Sequence, residues 1–345
     1  MDKYLKSRLF VGLAFLVLAV ILIVGYNLNE DLSDQGHTEN IFAMDTAMTL
    51  TAYGDDANAA VSAAQKEIFR LDALLSIIGQ NSEIAKLNAT HTFDVSDDTE
   101  NLLMRAAEVS ESTGGLFDIT ISPIMDLWGF RTDQYKVPDS SQLATLLKEV
   151  DYTKVSIDDG KVTLPADIKI DLGGIAKGYA SDRVMDIFRA HGITSGIITL
   201  GGNVQALGQH PEGRPWNVAI VDPFNADQTF ATVQIEDKAA VTSGGYQRYF
   251  TEGGITYHHI IDPRTGYPAD SGLVSVTIIS ADGTLADGLS TSLFIMGLED
   301  ASDYWRAHRD QFDAVLVTAD GTAYVTEGLV GSFTMADGTE AVIIS

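Results

Sequence analysis

The segment DLGGIAKGYA, Asp171–Ala180, follows an apolar stretch that ends at Ile170 and leads into a run with helical periodicity. We predict a strand ending at Ile170, a turn containing Gly173 and Gly174, and then a helix. Glycines in such a turn let a ligand approach the backbone, and the helix start behind them offers N–H donors and partial positive charge suited to phosphate. On this segment alone, a tight turn in which Asp171 merely caps the helix is the simpler interpretation.

Working outward from this segment, hydrophobic periodicity predicts one mixed α+β domain over residues 41–345. The helices and antiparallel strands are segregated rather than strictly alternating, and neither an internal repeat nor a Pro- or Ser-rich linker divides the domain. Predicted strands cover residues 42–53, 154–157, 161–164, 196–200, 216–221, 229–235, 239–242, 255–261 and 274–279, and predicted helices cover residues 56–75, 99–112, 140–150, 176–191, 285–296 and 299–308.

The N-terminal region predicts a membrane anchor. Residues Leu9–Tyr26, LFVGLAFLVLAVILIVGY, form an uncharged apolar run close to the roughly 20 helical residues that span a bilayer. The basic residues of the 1–8 stub precede this run and acidic residues follow it, so the stub is expected to be cytoplasmic and the domain extracytoplasmic. Residues 27–40 are polar and predict a flexible linker. A cleaved secretory signal is the alternative, but its apolar part usually spans about 7–15 residues and ends near a small-x-small site that is not clear here.

Composition excludes several classes of protein. The chain has 345 residues, 22 Lys plus Arg and 48 Asp plus Glu, so its net charge of −26 would repel a nucleic acid backbone. It has no cysteine, which excludes disulfides, thiolate metal sites, a cysteine nucleophile and a lipid attached through cysteine. No Walker A, Rossmann, HExxH, GxSxG or EF-hand motif is present, so the common nucleotide-binding and hydrolase folds are unsupported.

A second polar segment opens an apolar helix at Ala286–Phe294, ADGLSTSLF. Asp287 and Thr291 are four residues apart and therefore share one helical face, with Ser290 beside them. Carboxylate and hydroxyl oxygens suit a hard cation such as Mg²⁺. The alternative is structural: Asp287 caps its helix and a Ser or Thr hydroxyl bonds to the preceding turn.

A third segment, Tyr257–Pro268, has the sequence YHHIIDPRTGYP. Side chains alternate across a strand, so His258 and His259 are expected on opposite faces and only one can serve a given cleft. A histidine there could act as a base near neutral pH. Catalytic and structural roles remain equally open for this pair on the segment alone.

Together these segments resemble the ApbE family, the FAD:protein FMN transferases, in order from Met44 to the helix that ends near Met296. The remaining matching pieces are MDT at 44–46, SEIAKLN at 82–88, GLFDITISP at 115–123, LWGF at 127–130, GGN at 201–203, TSGGY at 242–246 and RYF at 248–250. The resemblance implies an α+β fold of the ApbE type, also called T-fold-like. It also implies Mg²⁺ dependence, FAD as the FMN donor, a protein Thr or Ser hydroxyl as the acceptor, and AMP as the released product.

The resemblance also implies roles for individual residues. Mg²⁺ would be bound by Asp287, Thr291 and the backbone carbonyl of Gly174, with Ser290 as a further candidate. His259 corresponds to the catalytic histidine, and Asp287 acts with it through the metal. FAD would be contacted by Met44, Leu116, Phe117, Asp118, Asp171, Lys177 and Ile261. Two departures are visible: Ile77 and Ile78 stand where many members have an aromatic residue that can stack on the flavin nucleotide, and the predicted helix replaces a lipidated cysteine as the anchor.

The chemistry fits these residue types. Cleavage of the FAD pyrophosphate is phosphoryl transfer, in which positioning and charge neutralisation by Mg²⁺ are the main catalytic effects. The expected acceptor is an exported redox protein with a Thr or Ser flavinylation motif, such as a subunit of a sodium-pumping or Rnf-type complex, reached from the membrane surface. Two alternatives stay open: an FAD pyrophosphatase, in which water replaces the acceptor, and a surface flavin-binding protein without turnover.

Overall fold

A computed structural model describes residues 36–132 and 134–345. Within these ranges no helix combines the length and apolarity needed to cross a membrane. The predicted anchor, Leu9–Tyr26, lies outside the described residues.

The described part of the chain forms eight α-helices and seventeen β-strands. The helices are α1 (Ala57–Leu75), α2 (Glu83–Thr90), α3 (Asp97–Ser112), α4 (Ser122–Trp128), α5 (Ser140–Leu146), α6 (Ala176–Ala190), α7 (Gly283–Met296) and α8 (Leu298–Ala307). The strands are β1 (Gly36–Ala43), β2 (Thr46–Tyr53), β3 (Thr92–Asp94), β4 (Ser156–Asp158), β5 (Lys161–Thr163), β6 (Ser195–Leu200), β7 (Asn203–Leu207), β8 (Trp216–Asp222), β9 (Asn225–Ile235), β10 (Ala239–Gly244), β11 (Tyr249–Glu252), β12 (Ile255–His258), β13 (Leu273–Ser280), β14 (Asp313–Thr318), β15 (Ala323–Thr326), β16 (Phe333–Met335) and β17 (Val342–Ile344).

Nine of these strands form a central sheet in the order β1-β2-β6-β7-β10-β13-β14-β15-β17. Its neighbouring strands are antiparallel except for the last pair, β15 and β17. Three smaller sheets accompany it in the described residues, with the orders β16-β9-β8, β3-β5-β4 and β11-β12. The prediction of one mixed α+β domain with mainly antiparallel strands is confirmed.

Both faces of the central sheet are covered. Val276 and Ile278 of β13 belong to the main apolar cluster, which also contains buried residues of α1, α6 and α7. Ile279 of the same strand belongs to a second cluster, formed with the β16-β9-β8 sheet. Because successive strand residues point to opposite faces, each face of β13 packs against a different layer.

A third apolar cluster lies around Trp128 at the end of α4. It includes Phe130, Leu143 and Ile261, and the Trp128 indole N–H donates to the Gly266 carbonyl at 2.8 Å. Phe250 and Tyr257, from the β11-β12 hairpin, pack against it. This cluster therefore fixes the hairpin that precedes His259.

The strand predicted for residues 42–53 is wrong as one element. Met44 and Asp45 form a two-residue turn between β1 and β2, with φ of 48° and 59°. Turns of this hairpin type usually contain Asn or Gly, so the sequence carries no ordinary turn signal here. The linker predicted for residues 27–40 is also too long, because Gly36–Asn40 pair with β2.

The strand predicted to end at Ile170 is absent from the described chain. The side chain of Asn88, in α2, donates to the Ile170 carbonyl and accepts from its N–H, both at 2.8 Å. The side-chain amide of Asn88 thus satisfies the backbone groups of Ile170 that a neighbouring strand would otherwise pair. The helix predicted for residues 140–150 likewise ends at Leu146 and continues as a 3₁₀ turn, and the strand predicted for residues 255–261 ends at His258.

Candidate active site at the α6–α7 contact

The N-terminal turns of α6 and α7 pack directly against each other. A Cβ on Gly178 would lie 2.2 Å from the Gly283 carbonyl oxygen and 2.7 Å from the Asp287 Cβ. Only glycine permits this approach, because backbone atoms on the facing helix cannot move aside as a flexible side chain can. The glycine therefore brings Asp287 against the first turn of α6.

Asp287 is buried, and each of its carboxylate oxygens accepts one hydrogen bond. Its Oδ2 accepts from the backbone N–H of Gly178 at 2.8 Å, and its Oδ1 accepts from the side-chain amide of Asn203 at 3.0 Å. The Gly178 N–H is one of the first-turn donors of α6 that have no partner within the helix. Asp287 thus caps α6, while its own helix is capped by Asp282, whose carboxylate accepts from the Leu285 N–H at 2.8 Å. The structural alternative in which Asp287 caps α7 is wrong.

A chain of hydroxyl groups runs from Thr291 back into the helix. Ser290 is completely buried, and its hydroxyl donates to the Asp287 carbonyl at 2.9 Å. Ser243, in β10, lies 2.8 Å from the Ser290 hydroxyl and 3.3 Å from the Thr291 hydroxyl. Because a carbonyl can only accept, Ser243 must donate to Ser290 and Thr291 must donate to Ser243. The Thr291 oxygen keeps its lone pairs, and its side chain is half-buried rather than enclosed.

The donor set suits a hard cation. No group of three or more His, Asp or Glu side chains in the described residues is placed to hold a metal ion, so a cation here would combine one carboxylate with neutral oxygens. Gly174 is exposed, four residues before Gly178. In a continuous helix its carbonyl would accept from the Gly178 N–H, which Asp287 accepts from instead. A carboxylate and a backbone carbonyl therefore lie at the start of α6, and the threonine hydroxyl lies one turn further along α7 than the carboxylate.

The two adjacent histidines have different environments, as the strand alternation predicts. His258 has both ring nitrogens engaged: Nε2 donates to the Ala269 carbonyl at 3.1 Å, and Nδ1 accepts from the Ile260 N–H at 3.3 Å. Its ring packs edge-on against Phe294. His258 is therefore a structural residue.

Within residues 36–132 and 134–345, His259 makes a single ring hydrogen bond, from Nδ1 to the Arg248 carbonyl at 3.2 Å. The carbonyl requires the proton on Nδ1, so Nε2 carries a free lone pair and can accept a proton. Burial lowers the pKa of His259 to about 3, and the positive charges of Arg248 and Lys177 act in the same direction. The ring is neutral at physiological pH.

The other predicted FAD contacts surround the start of α6 in two groups. Met44 lies in the β1-β2 turn, where the neighbouring Asp45 pairs with Arg248 at 2.9 Å. Lys177 lies beside Gly178, and its ammonium group is 3.4 Å from the Gly173 carbonyl. Met44 is therefore linked to His259 through the Asp45–Arg248 pair, and the charge of Lys177 acts on the His259 ring.

The second group centres on the segment Leu116–Asp118. The Phe117 ring lies 3.1 Å from the position of a Cβ on Gly174. Asp171 closes a local turn by accepting from the Gly173 N–H at 2.8 Å, and it pairs with Arg131 at 3.1 Å. Asp171 thus caps the turn rather than α6, whose N-cap, Ile175, makes no side-chain cap.

Asp118 is buried, and burial raises the pKa of its carboxyl group. It accepts from the backbone and hydroxyl of Thr120 and from the Tyr152 N–H. It also lines a small cavity of about 190 Å³.

Leu116 and Ile261 are buried in apolar clusters, Ile261 beside Trp128. Of the two departures, Ile77 packs against the main cluster and Ile78 is exposed.

Several residues of the site carried no clear signal. Gly178, Asn203 and Ser243 act on Asp287 and its neighbours, but each is a common residue type whose role depends on a partner far away in the sequence. Arg131 and Arg248 position Asp171 and His259 in the same way. Gly178, Asn203, Ser243 and Arg248 lie in segments that resemble the ApbE family, but those segments do not indicate which partners they contact.

A charged cleft of about 600 Å³ lies elsewhere, between α3, α6 and the start of α7. Its arginines are neutralised by ion pairs such as Arg105 with Asp282 and Arg183 with Glu67. None of the predicted site residues is among those that line it. The site therefore cannot be located from cavity volume in the described chain.

Comparisons with known proteins show which proteins this chain resembles. The model of the ApbE family matches residues 44–316. A FAD:protein FMN transferase of Treponema pallidum is 33% identical over 316 residues, covering 85% of this chain and 87% of that protein. One from Klebsiella pneumoniae is 33% identical over 282 residues, covering 80% and 87%.

Solved structures show the same fold. The crystal structure of the ApbE protein from Thermotoga maritima aligns with a TM-score of 0.82 and 31% identity, covering 89% of this chain and 100% of that one. The apo flavinyl transferase ApbE of Pseudomonas stutzeri aligns with a TM-score of 0.78 and 26% identity, covering 88% and 98%. Because the family model spans most of the chain and relatives above 30% identity cover more than two thirds of it, the chain belongs to the ApbE family.

Proposed function

We propose that this protein is a Mg²⁺-dependent FAD:protein FMN transferase that joins FMN to a Thr or Ser hydroxyl and releases AMP. One observation carries the proposal: the Asp287 carboxylate accepts from the first turn of α6, and Thr291, one turn further along α7, keeps the lone pairs of its hydroxyl oxygen. A helix N-terminus favours phosphate, and an adjacent oxygen-ligand set favours a divalent cation. The names of the relatives from Treponema and Klebsiella support the same activity.

Asp287, Thr291 and the Gly174 carbonyl would hold Mg²⁺. Thr291 is favoured over Ser290, because the Ser290 hydroxyl is completely buried and already bonded at both its proton and an acceptor position. A bound Mg²⁺ neutralises charge on the non-bridging phosphate oxygens of FAD during phosphoryl transfer. Ser290 and Ser243 support this role by fixing the direction in which Thr291 donates.

His259 serves as the general base. Its Nε2 accepts the proton of the acceptor hydroxyl as that oxygen forms a bond to the FMN phosphorus. The bond between this phosphorus and the bridging oxygen breaks, and AMP leaves with that oxygen. The Arg248 carbonyl holds the Nδ1 proton in place throughout, so the ring keeps the required tautomer.

Lys177 and the first turn of α6 orient the diphosphate. The ammonium group of Lys177 lies near the exposed Gly173–Gly174 turn, where phosphate oxygens can also receive backbone N–H donors. The second group of predicted contacts, Leu116–Asp118 and Asp171, would bind the remainder of FAD. The Arg131–Asp171 ion pair fixes that wall of the site.

We further propose that the domain acts outside the cytoplasmic membrane on exported redox proteins, such as subunits of sodium-pumping or Rnf-type complexes. The predicted anchor at residues 9–26 and the basic stub before it support this orientation. Protease treatment of intact spheroplasts is expected to digest the domain while the membrane remains sealed. Protection of the domain under these conditions would contradict the orientation.

The decisive experiment mixes residues 36–345 with FAD, Mg²⁺ and an acceptor domain that carries a Thr in a flavinylation motif. Mass spectrometry should show one added FMN on the acceptor, together with free AMP. The same acceptor with Thr replaced by Val is the control and should remain unmodified. Free FMN without modified acceptor would support a pyrophosphatase instead, and unchanged FAD would support binding without turnover.

A further inference from the structure

Helices α6 and α7 cap each other through two aspartates. Asp287 of α7 accepts from the Gly178 N–H of α6. In the opposite direction, Asp182 of α6 accepts from the Gly283 N–H at 2.9 Å and from the N–H and hydroxyl of Thr284 at 2.8 and 2.6 Å. Asp287 therefore satisfies one first-turn donor of α6, and Asp182 satisfies two first-turn donors of α7.

Strand β7 holds both aspartates from the same side. Asn203 donates to Asp287 at 3.0 Å, and Gln205 donates to Asp182 at 2.9 Å. The two amides are two residues apart, so they lie on one face of the strand. The spacing of the strand thus matches the spacing of the two carboxylates.

The packing leaves little room for adjustment. A Cβ on Gly283 would meet Gln205, Ser181 and Asp182 atoms at 2.7–2.9 Å, and a Cβ on Gly178 would meet α7 backbone. Asp182 is half-buried, but Gly283 and Thr284 are buried, so first-turn donors of α7 that lost their partner would carry a desolvation cost. The position of α7 therefore depends on Asp182.

We propose that Asp182, held by Gln205, is a positioning residue for the metal site. It fixes the first turn of α7, and the same helix carries Asp287 and Thr291 one and two turns further on. This inference rests on the proposed function for the identity of the metal. Asp182 does not touch the cation; its carboxylate sets the distance at which the two oxygen ligands of α7 face Gly174.

The test compares Asp182→Asn with Asp186→Asn, which lies one turn further along α6. Asp186 loses the same charge, but its side chain is 63% exposed and pairs with Arg189 at 3.5 Å. The Mg²⁺ concentration for half-maximal FMN transfer is measured at saturating FAD, together with FAD binding in EDTA and the melting temperature. Outer-shell changes of this type weaken metal binding about 10–100-fold.

We expect the half-maximal Mg²⁺ concentration to rise at least tenfold in Asp182→Asn, with the maximal rate restored at high Mg²⁺ and FAD binding in EDTA unchanged. Asp186→Asn should match the wild type. An unchanged Mg²⁺ requirement in a folded Asp182→Asn protein, whatever its melting temperature, would overturn the inference.

A second variant tests the inference if Asp182→Asn does not fold. Gln205→Leu removes the donation to Asp182 and little else, since the Gln205 Oε1 accepts no hydrogen bond in the described structure. It should raise the Mg²⁺ requirement in the same direction by a smaller factor, and a wild-type requirement would count against the inference.

Binding of Mn²⁺, followed by the EPR signal of the free ion, separates the two proposals. A wild type that transfers no FMN but binds Mn²⁺ more tightly than Asp182→Asn would remove the proposed function and retain the positioning role. Equal Mn²⁺ binding by the two proteins, or none by the wild type, would overturn the positioning role itself.

Discussion

The Gly178 N–H donates to the Asp287 carboxylate across 109 residues of sequence, so the start of α6 is completed by a side chain of α7. A negative charge at this position is stabilised by the partial positive charge of the α6 terminus. The same carboxylate retains lone pairs for a cation, because each of its oxygens accepts one hydrogen bond within the described residues. The capping of α6 by Asp287 is therefore compatible with its proposed role as a metal ligand.

Asp287→Asn should abolish Mg²⁺-dependent transfer, with a loss of at least about 100-fold. The amide removes the charge that attracts the cation and presents an NH₂ group to one of the two donors. FAD binding in EDTA should stay within about threefold of the wild type, as measured by flavin fluorescence. Asp303→Asn, at an exposed position of α8, is the control for charge alone. Retained turnover in Asp287→Asn would refute its metal role.

His259→Gln should slow FMN transfer about 10²–10⁴-fold at unchanged FAD affinity, the usual contribution of a general base. The neighbouring His258→Gln provides the contrast. It removes two hydrogen bonds of a buried ring, so it should lower the free energy of unfolding by about 1–3 kcal/mol and leave the turnover of folded protein near wild type. Single-turnover kinetics and urea unfolding distinguish the two, and interchanged effects would reverse the assignment.

Thr291→Ala and Ser290→Ala distinguish the proposed Mg²⁺ ligand, Thr291, from the residue that orients its hydroxyl, Ser290. Loss of the Thr291 hydroxyl should raise the half-maximal Mg²⁺ concentration more than tenfold. Loss of the Ser290 hydroxyl should change that concentration less and mainly reduce stability, by about 1–3 kcal/mol, since it removes the buried hydrogen bonds to the Asp287 carbonyl and from Ser243. If Mg²⁺ titrations showed the larger effect in Ser290→Ala, Ser290 would replace Thr291 as the ligand.

Gly178→Ala tests the helix contact by the sign of its effect. Helix propensity alone would stabilise α6 by about 1 kcal/mol, whereas overpacking against the Gly283 carbonyl and Asp287 should destabilise the protein by about 1–3 kcal/mol. Gly288→Ala is the matched control in α7, because its Cβ would meet only the Val109 side chain, at 3.0 Å. Thermal unfolding measures both, and a stabilised Gly178→Ala protein would show that the contact is loose.

The low pKa of His259 sets two pH dependences. The unfolded chain binds a proton at this histidine near pH 6.5, whereas the folded chain binds it only near pH 3, so this residue lowers stability progressively as the pH falls from 6.5 toward 3. In kcat/KM, the acid limb assigned to this base should lie well below pH 6.5. Stopped-flow transfer rates and urea unfolding between pH 4 and 8 test both. A limb at pH 6.5 that disappears in His259→Gln would contradict the neutral, buried ring.

The sequence predicted long helices well because their burial follows a single period. Residues Ala60, Ile68 and Leu71 of α1 all face the main apolar cluster, and their spacing is helical. Strand β14 was not predicted, since its residues pack alternately on two covered faces and leave no polar alternation. The β1-β2 turn was missed for a different reason: Met44 and Asp45 adopt positive φ without glycine.

At the site, the sequence could indicate residues that act together within one segment. It could not indicate hydrogen-bond partners that lie in different segments. The four-residue spacing of Asp287 and Thr291 is visible in the sequence. The donors from Gly178 and Asn203 are not, because they depend on how α6 and β7 pack against α7. The choice between His258 and His259 likewise required the tautomers that Ala269 and Arg248 impose.

The long-range pairing of the sheet has a consequence for biogenesis. Strand β2 lies between β1 and β6. Its second edge, where Met48 pairs with Leu200, can be paired only after β6 has been synthesised. During synthesis or export, the first hairpin and α1 therefore precede their neighbours by well over a hundred residues. The Asp287 carboxylate is synthesised later still. A truncated or stalled chain that ends before Asp287 lacks this carboxylate, so such fragments should sequester neither the metal nor the flavin diphosphate through it.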